Sequence, residues 1–356
     1  MICQVVPEYY KYDAISQHAR HIAAMLSDID VPWVTCAGRV SPESLRTEIP
    51  PVDEVFARLT KHDTLLFHFS IATPLFDRLK HLPCRKVMIY HNITPARFFK
   101  GISQNTSAAC DKGRAQLKGA ARVFDLALGV SRFNEAELRA AGYTATGVLP
   151  LVVNTNVADD RTVRSLFFRS EKVSLLHVGK WAPNKRLEDI IKVFYLYHRI
   201  NPESRLILVG RNWEWENYTQ AVVELIHAFD LQGKVKVFQD LPAPDLAALY
   251  RACDVYVSMS EHEGFCVPLV EAMASACPIL AFEAGAIPET LGNAGILLKE
   301  KNALEIAEWI HYLMNNEKMY RTLAQRGKER ARDFSYEGVF EHFKRLLPLI
   351  LGETRN

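Results

Sequence analysis

Short apolar runs punctuate the chain. In the first half they are ICQVVP (2–7), VPWVTC (31–36), TLLFHFS (64–70), KVMIYHN (86–92), LALGVS (126–131) and TGVLPLVV (146–153). Between them lie stretches with apolar positions at helical spacing, such as 14–26, 52–60 and 133–141. Runs this short and this apolar fit strands covered on both faces, and their alternation with helices predicts parallel sheets built from βαβ units. The pattern then restarts. VSLLHVG (173–179), RLILVG (205–210), VKVFQDL (235–241), VYVSMS (255–260), PILAF (278–282) and GILLK (295–299) read as a second sheet. Helices are expected near 186–200, 216–230, 244–252 and 267–276, and a helical tail over 302–351 with breaks near 316 and 334. The polar segment 154–165 is the expected linker.

The length of 356 residues suits two domains of roughly 100–200 residues each. With 49% hydrophobic and 24% charged residues the chain is neither disordered nor collagen-like. A net charge of +2 gives no general bias towards nucleic acid. Cysteines 3, 36, 84, 110, 253, 266 and 277 are odd in number and form no C-x-x-C pair. They are expected to be small buried residues in a reducing cytoplasm, not disulfides or a zinc ribbon. MICQVVPEYYKYD does not read as a signal peptide, and no run of about 18 uncharged apolar residues predicts a membrane span.

Two doubly wound domains would face each other across a cleft, and open α/β sheets bind ligands at the carboxyl ends of their strands. The candidate chemistry is therefore sought just after the strands. After VSLLHVG, the turn KWAPNKR places Lys180, Lys185 and Arg186 together, with Arg186 opening a helix, a setting for a dianion such as a diphosphate. After VYVSMS comes EHEGFCVPLVEAMA. Glu263 is expected in the loop and Glu271 two turns into the following helix, with Pro268 in its first turn. Backbone N–H groups from Gly264 to Val267 are free to meet ligand oxygens, and Glu271 can accept two hydroxyls, as a ribose offers. In the first half, KVMIYHN ends in His91, which can donate to a sugar hydroxyl or steady a leaving group. Asp13 suits an N-cap before Ala14, with Gln17 as capping-box partner, and the small Ala14 lets a phosphate or sugar approach that helix end. Asp28-Ile-Asp30 matches a metal-binding D-x-D string but ends a helix on the wrong side of the sheet. His62, His68, His81, His91 and His227 lack close ligand spacing, so no metal is expected.

Together these residues resemble the GT-B glycosyltransferases, specifically the large retaining group-one family with the E-x7-E motif. The likeness rests on VGKWAPNKRLEDII, LILVG, SEHEGFCVPLVEAMA and AGAIPETLGNAGILL, and in the first half on YDAISQHA, YHNITPARFF and GVSRFNEAEL. It implies an α/β fold with two Rossmann-like doubly wound domains: an acceptor-binding domain over 1–155, a nucleotide-sugar-binding domain over 156–334, and a last helix (335–356) packing back on the first. It implies that Lys180 and Lys185 hold the donor diphosphate and that Glu271 binds the ribose. Glu263 and the backbone of Gly264, Phe265, Cys266 and Val267 would hold the sugar. His91 would touch the sugar and stabilise the transition state. Phe238, Gln239 and Leu241 would pack near the base, with Asp13 and Ala14 also on the donor side. The family usually has arginine at the place of Lys180, and a glycine-rich loop at the place of Tyr12-Asp13-Ala14.

The implied reaction is retaining transfer from a nucleotide-diphosphate-sugar, GDP-mannose before a UDP-sugar, to a hydroxyl of a glycan or polyprenyl-diphosphate-linked acceptor in surface polysaccharide synthesis. A non-catalytic homologue that binds nucleotide or glycan is the alternative. A nicotinamide dehydrogenase lacks its G-x-G-x-x-G turn here. The first half has a small basic excess. Lys112, Arg114, Lys118 and Arg122 follow the aromatic pair of RFFKGI (97–102), three of them at i, i+4 spacing. This makes 97–122 the expected point of a peripheral contact between a cytoplasmic protein and an anionic membrane.

Overall fold

The computed structural model describes residues 1–10, 13–42, 45, 48–155 and 173–353. Most of the expected linker, 156–165, lies outside them. The chain forms two compact units. The first is built from 1–97, 105–152 and the last helical stretch from 336. The second is built from 98–104 and 153–335.

In the first unit, strands β1 (Ile2–Tyr10), β2 (Trp33–Ser41), β3 (Thr64–Phe69), β4 (Arg85–Tyr90), β5 (Leu126–Gly129) and β6 (Thr146–Val148) alternate with helices. The helices are α1 (Ala14–Ser27), α2 (Val52–Phe56), α3 (Leu75–Leu79), α4 (Gln104–Gly119) and α5 (Arg132–Ala140). The sheet order is β2-β1-β3-β4-β5-β6 and every pairing is parallel. All six residues of β3 are buried, as a central strand covered on both faces requires.

The second unit repeats the plan. Its strands are β7 (Val173–Val178), β8 (Ser204–Val209), β9 (Val235–Phe238), β10 (Val255–Ser258), β11 (Ile279–Phe282) and β12 (Ile296–Leu298). Between and after them run α6 (Leu187–Ile200), α7 (Glu216–Ala228), α8 (Ala243–Ala252), α9 (Val267–Ala274), α10 (Ile287–Leu291), α11 (Ala303–Asn315) and α12 (Glu317–Ala331). The parallel order is β12-β11-β10-β7-β8-β9. Strands β7, β8 and β10 supply Leu175, Leu206, Leu208, Val255 and Val257 to a core against which Ile190, Ile191, Phe194 and Tyr197 of α6 pack. Each fully buried side chain of this size stabilises the fold by about 1.5–3 kcal/mol. The final helix, α13 (Tyr336–Leu351), belongs to the first unit. The breaks expected near 316 and 334 are the Asn316 cap and the 3-10 turn Arg332–Phe334.

Several local expectations are corrected. Asp13 caps α1 by accepting from the Ser16 N–H at 2.9 Å, and Ser16 Oγ in turn accepts from the Tyr10 N–H. The third helical position is therefore Ser16, not Gln17, and its hydroxyl serves the Tyr10 N–H. Glu271 is the fifth residue of α9, which starts at Val267, so it stands just over one turn in and not two. The basic face over 111–122 is broken up: α4 ends at Gly119, before Arg122. Arg114 turns inward, donating to the Ile93 carbonyl and pairing with Glu137 at 2.9 Å. Phe99 of the aromatic pair is buried and faces Trp215 at 5.4 Å between ring centres. Lys112 and Lys118 remain exposed. Among the described residues, no helix is long and apolar enough to cross a membrane. All seven cysteines are buried and free.

Candidate functional site

In the second unit the site forms where two neighbouring strands end. Strands β7 and β10 pair, Leu175 beside Val255, so the loops after them adjoin although about 80 residues separate them in sequence. The loop after β7 makes the 3-10 turn Pro183–Lys185, and Arg186 takes a left-handed conformation to start α6. Asn184 ties the two loops together. Its amide donates to the His262 carbonyl at 3.0 Å, and its carbonyl accepts from the Glu261 N–H at 2.8 Å. Lys185 Nζ then meets Glu263 Oε1 at 2.5 Å, with side chains only 18% and 9% exposed. Burial alone would lower the Lys185 ammonium, but Glu263 beside it holds it above the ordinary lysine range, so it stays a cation.

The carboxylate loop is pinned from the far side. The Glu263 carbonyl accepts from the Ala286 N–H at 2.9 Å. Gly285, at φ +56°, passes so close that a Cβ there would lie 2.3 Å from that carbonyl oxygen. The Phe265 carbonyl accepts from Thr290 Oγ1 at 2.8 Å, and the buried Phe265 ring packs edge-on against Phe334. Cys266, buried and left-handed at φ 72°, leads into α9. Gly264 stands in the same loop and Val267 is the first residue of α9, whose first-turn N–H groups have no acceptor within the helix. Glu271 Oε2 accepts from the Tyr250 hydroxyl at 2.8 Å, and burial raises its carboxyl above the usual range.

The other expected donor residues are spread around this pair. Lys180 is largely exposed and pairs with Glu214 at 2.9 Å. Arg186 is engaged by Glu188, Asp189 and Glu261, so its charge is already met by carboxylates. Phe238 ends β9, and Gln239 donates to Asn212 beside it, with Leu241 half-buried just beyond. Sequence reasoning missed His177. It lies buried near Lys185 on β7 and donates from Nδ1 to the Val257 carbonyl at 2.9 Å, while Nε2 has no partner. Burial holds its ring down to about 4.

In the first unit, His91 follows β4 directly, its N–H continuing the ladder to the Phe69 carbonyl. Its Nε2 lies 2.9 Å from His68 Nδ1, and His68 Nε2 lies 3.2 Å from Gln4 Oε1. His18 of α1 stands edge-on to both rings at 5.3 and 5.8 Å. Next to His91, Asn92 adopts φ 79° and donates to Asn134 and Glu137. Glu137 also accepts from Tyr90 and Arg114. Asp13 and Ala14 sit at the start of α1, Ala14 exposed. Asp28 accepts from Tyr336 at 2.7 Å. His18 and Glu137 lie inside the stretches YDAISQHA and GVSRFNEAEL but were not singled out, and Gln4 carried no motif signal; the parallel register of β1 and β3 is what brings Gln4 to His68.

A family model described as glycosyl transferases group 1 matches residues 159–330, just under half of the chain. O-antigen chain mannosyltransferase B of Escherichia coli is 27% identical over 167 residues, covering 46% of this chain and 42% of that protein. The match thus spans less than half the length of that relative. Sucrose-phosphate synthase from Thermosynechococcus elongatus has a TM-score of 0.79 at 16% identity, covering 99% of both chains. Anabaena HepE, solved in complex with UDP-glucose, has a TM-score of 0.76 at 17% identity, covering 98% of this chain and 99% of that one. These likenesses show the fold, which is GT-B.

Proposed function

We propose, from the match of residues 159–330 to the group 1 glycosyl transferases, that this chain moves a sugar from a nucleotide-diphosphate-sugar to an acceptor hydroxyl with retention at the anomeric carbon. The observation that carries the reading is the buried Lys185–Glu263 pair at the ends of β7 and β10, within the matched segment. A lysine kept cationic in a largely buried place is suited to a diphosphate, and a fixed carboxylate beside it to sugar hydroxyls.

In this reading the bond from the anomeric carbon to the diphosphate breaks while the acceptor oxygen bonds to that carbon on the same face. The acceptor's proton passes to a diphosphate oxygen. Negative charge grows on the leaving diphosphate, and Lys180, Lys185 and the start of α9 meet it. Removing one preorganised donor of this kind costs about 3 kcal/mol of barrier. Glu263 with the backbone of 264–267 holds the sugar, Glu271 the ribose, and His91 is assigned the transition state. The donor step is taken to need no metal ion. GDP-mannose is the preferred donor, supported by the mannosyltransferase relative, and the acceptor is a glycan or lipid-linked glycan. A UDP-sugar is the second reading, favoured by the fold likeness to a protein solved with UDP-glucose.

Thermal unfolding with GDP, UDP, ADP and dTDP, each with and without magnesium, tests this on wild type and Lys185→Ala. A nucleotide at about 100 times its dissociation constant adds about 2.7 kcal/mol. One nucleotide should stabilise wild type, equally without magnesium, and fail on the variant. If none stabilises wild type at millimolar concentration, the donor site is misread and a non-catalytic role is the better account.

A further inference from the structure

We propose that His18, His68 and His91 of the first unit form a binding site for one divalent transition-metal ion of the zinc type. Each offers a ring nitrogen, and these atoms lie within 4.8 Å of one another. They come from α1, β3 and the residue after β4, so sequence spacing gave no hint of the group.

His18 points to a ligand independently. It is 2% exposed, and neither ring nitrogen has a hydrogen-bond partner. Buried polar atoms are nearly always paired, and an orphaned imidazole against two others asks for an explanation. The tautomers can be assigned from the hydrogen bonds. Gln4 Nε2 donates to the Ala19 carbonyl at 2.9 Å and to Thr35 Oγ1 at 3.2 Å, which fixes Oε1 as the end facing His68. His68 Nε2 must then carry the proton, and its Nδ1 offers a lone pair towards the cluster. This is the outer-shell support usual for a metal-bound histidine: the far nitrogen donates to a fixed oxygen. Neutral imidazole is the form that binds metal.

The donor set selects the ion. Three imidazoles without a carboxylate suit zinc, cobalt, nickel or copper and are poor for magnesium or calcium. Three protein ligands also leave a fourth position open. The 2.9 Å between His68 Nδ1 and His91 Nε2 is a hydrogen bond now, donated by His91 because His68 Nδ1 has no proton. An ion would replace it. His91 would then bind through Nε2 and carry its proton on Nδ1, with no net gain or loss of protons. Without the ion, His91 Nδ1 can only accept. With it, Nδ1 carries the proton; the site is independent of the donor step, which is taken to need no metal.

The test is direct binding to the full chain, freed of metal by a chelator. Zinc is titrated in competition with a chromogenic chelator, without any nucleotide present. Wild type should take up one zinc per chain that His18→Leu and His68→Phe bind at least about tenfold more weakly. Variants of the exposed His62 and His81 should match wild type. Circular dichroism checks that the variants are folded. Cobalt(II) added to wild type should give the visible absorption of a tetrahedral nitrogen site, a readout that needs no variant. No such spectrum, or zinc affinity equal in wild type and folded His18→Leu, would overturn the proposal. Neither result bears on nucleotide stabilisation, so failure here is distinct from failure of the donor site.

Discussion

Lys185 and Glu263 each neutralise the other in a place nearly closed to water. Removing one leaves the other's charge uncompensated, whereas removing both takes away the desolvation cost as well. Lys185→Met and Glu263→Gln are each expected to lower the unfolding free energy by about 2–3 kcal/mol, since the pair is not fully dry. The double variant should lose less than the sum by about 1–3 kcal/mol. Urea unfolding of the four proteins measures this, and additive losses would mean that the two side chains are not coupled. His177 gives a pH signature in the same unit. Burial lowers its folded value from the ordinary 6.5 to about 4. The stability it contributes is therefore complete above about 6.5 and is lost as pH falls towards 4, by at most about 3 kcal/mol. His177→Gln should flatten the acid side of the second unit's melting-temperature profile over that window. An unchanged slope would mean that His177 does not stay neutral in the folded state.

The loop that presents Glu263 depends on contacts from another element, and these can be loosened singly. Thr290→Val removes the hydroxyl that serves the Phe265 carbonyl and should cost about 1–3 kcal/mol. Gly285→Ala places a methyl against the Glu263 carbonyl at a left-handed position. It should cost more than Thr290→Val and also weaken nucleotide stabilisation, because the carboxylate loop must move. Equal nucleotide stabilisation in Gly285→Ala and wild type would show that the loop is not held from 285. Elements of this kind were only partly legible in the sequence. Apolar runs located the twelve strands of the described residues, including the partly exposed edge strands β6 and β9. They under-read β1 and β2, which run on to Tyr10 and Ser41 through polar residues that backbone pairing, not burial, keeps extended. The start of α9 at Val267 was placed correctly, and only the depth of Glu271 within it was over-read. Lys185, Glu263 and Glu271 were found as residues after strands. That Lys185 and Glu263 touch, and that Tyr250 holds Glu271, depends on strand order, which is set by the fold and not by local pattern. In the basic run 111–122, helical spacing likewise does not say that the helix stops at Gly119 or that Arg114 turns inward.

At the scale of the molecule, the first unit is not continuous in sequence. It is completed by α13, reached only after the whole second unit. That helix is fastened by more than apolar contact. Val339, Phe343 and Ile350 are buried, and Arg85 donates to the carbonyls of Leu349 and Ile350 at 2.9 Å each. His342 Nε2 donates to the Val148 carbonyl at 2.7 Å, and Tyr336 donates to Asp28. Three buried side chains alone stand for about 5 kcal/mol or more, a large part of the stability of a domain. A chain ending at Ser335 should therefore unfold in two steps. The first unit, monitored by hydrogen exchange in β4 and β6, should open early. The second unit keeps every residue of its own sheet and should melt at the full-length temperature. A synthetic peptide of residues 336–353 added to the shortened chain should restore protection in β4 and β6, because the hydrogen bonds it makes to Arg85 and Val148 need no covalent link. If the shortened chain keeps full protection there, the helix is an appendage to the first unit and not part of its core.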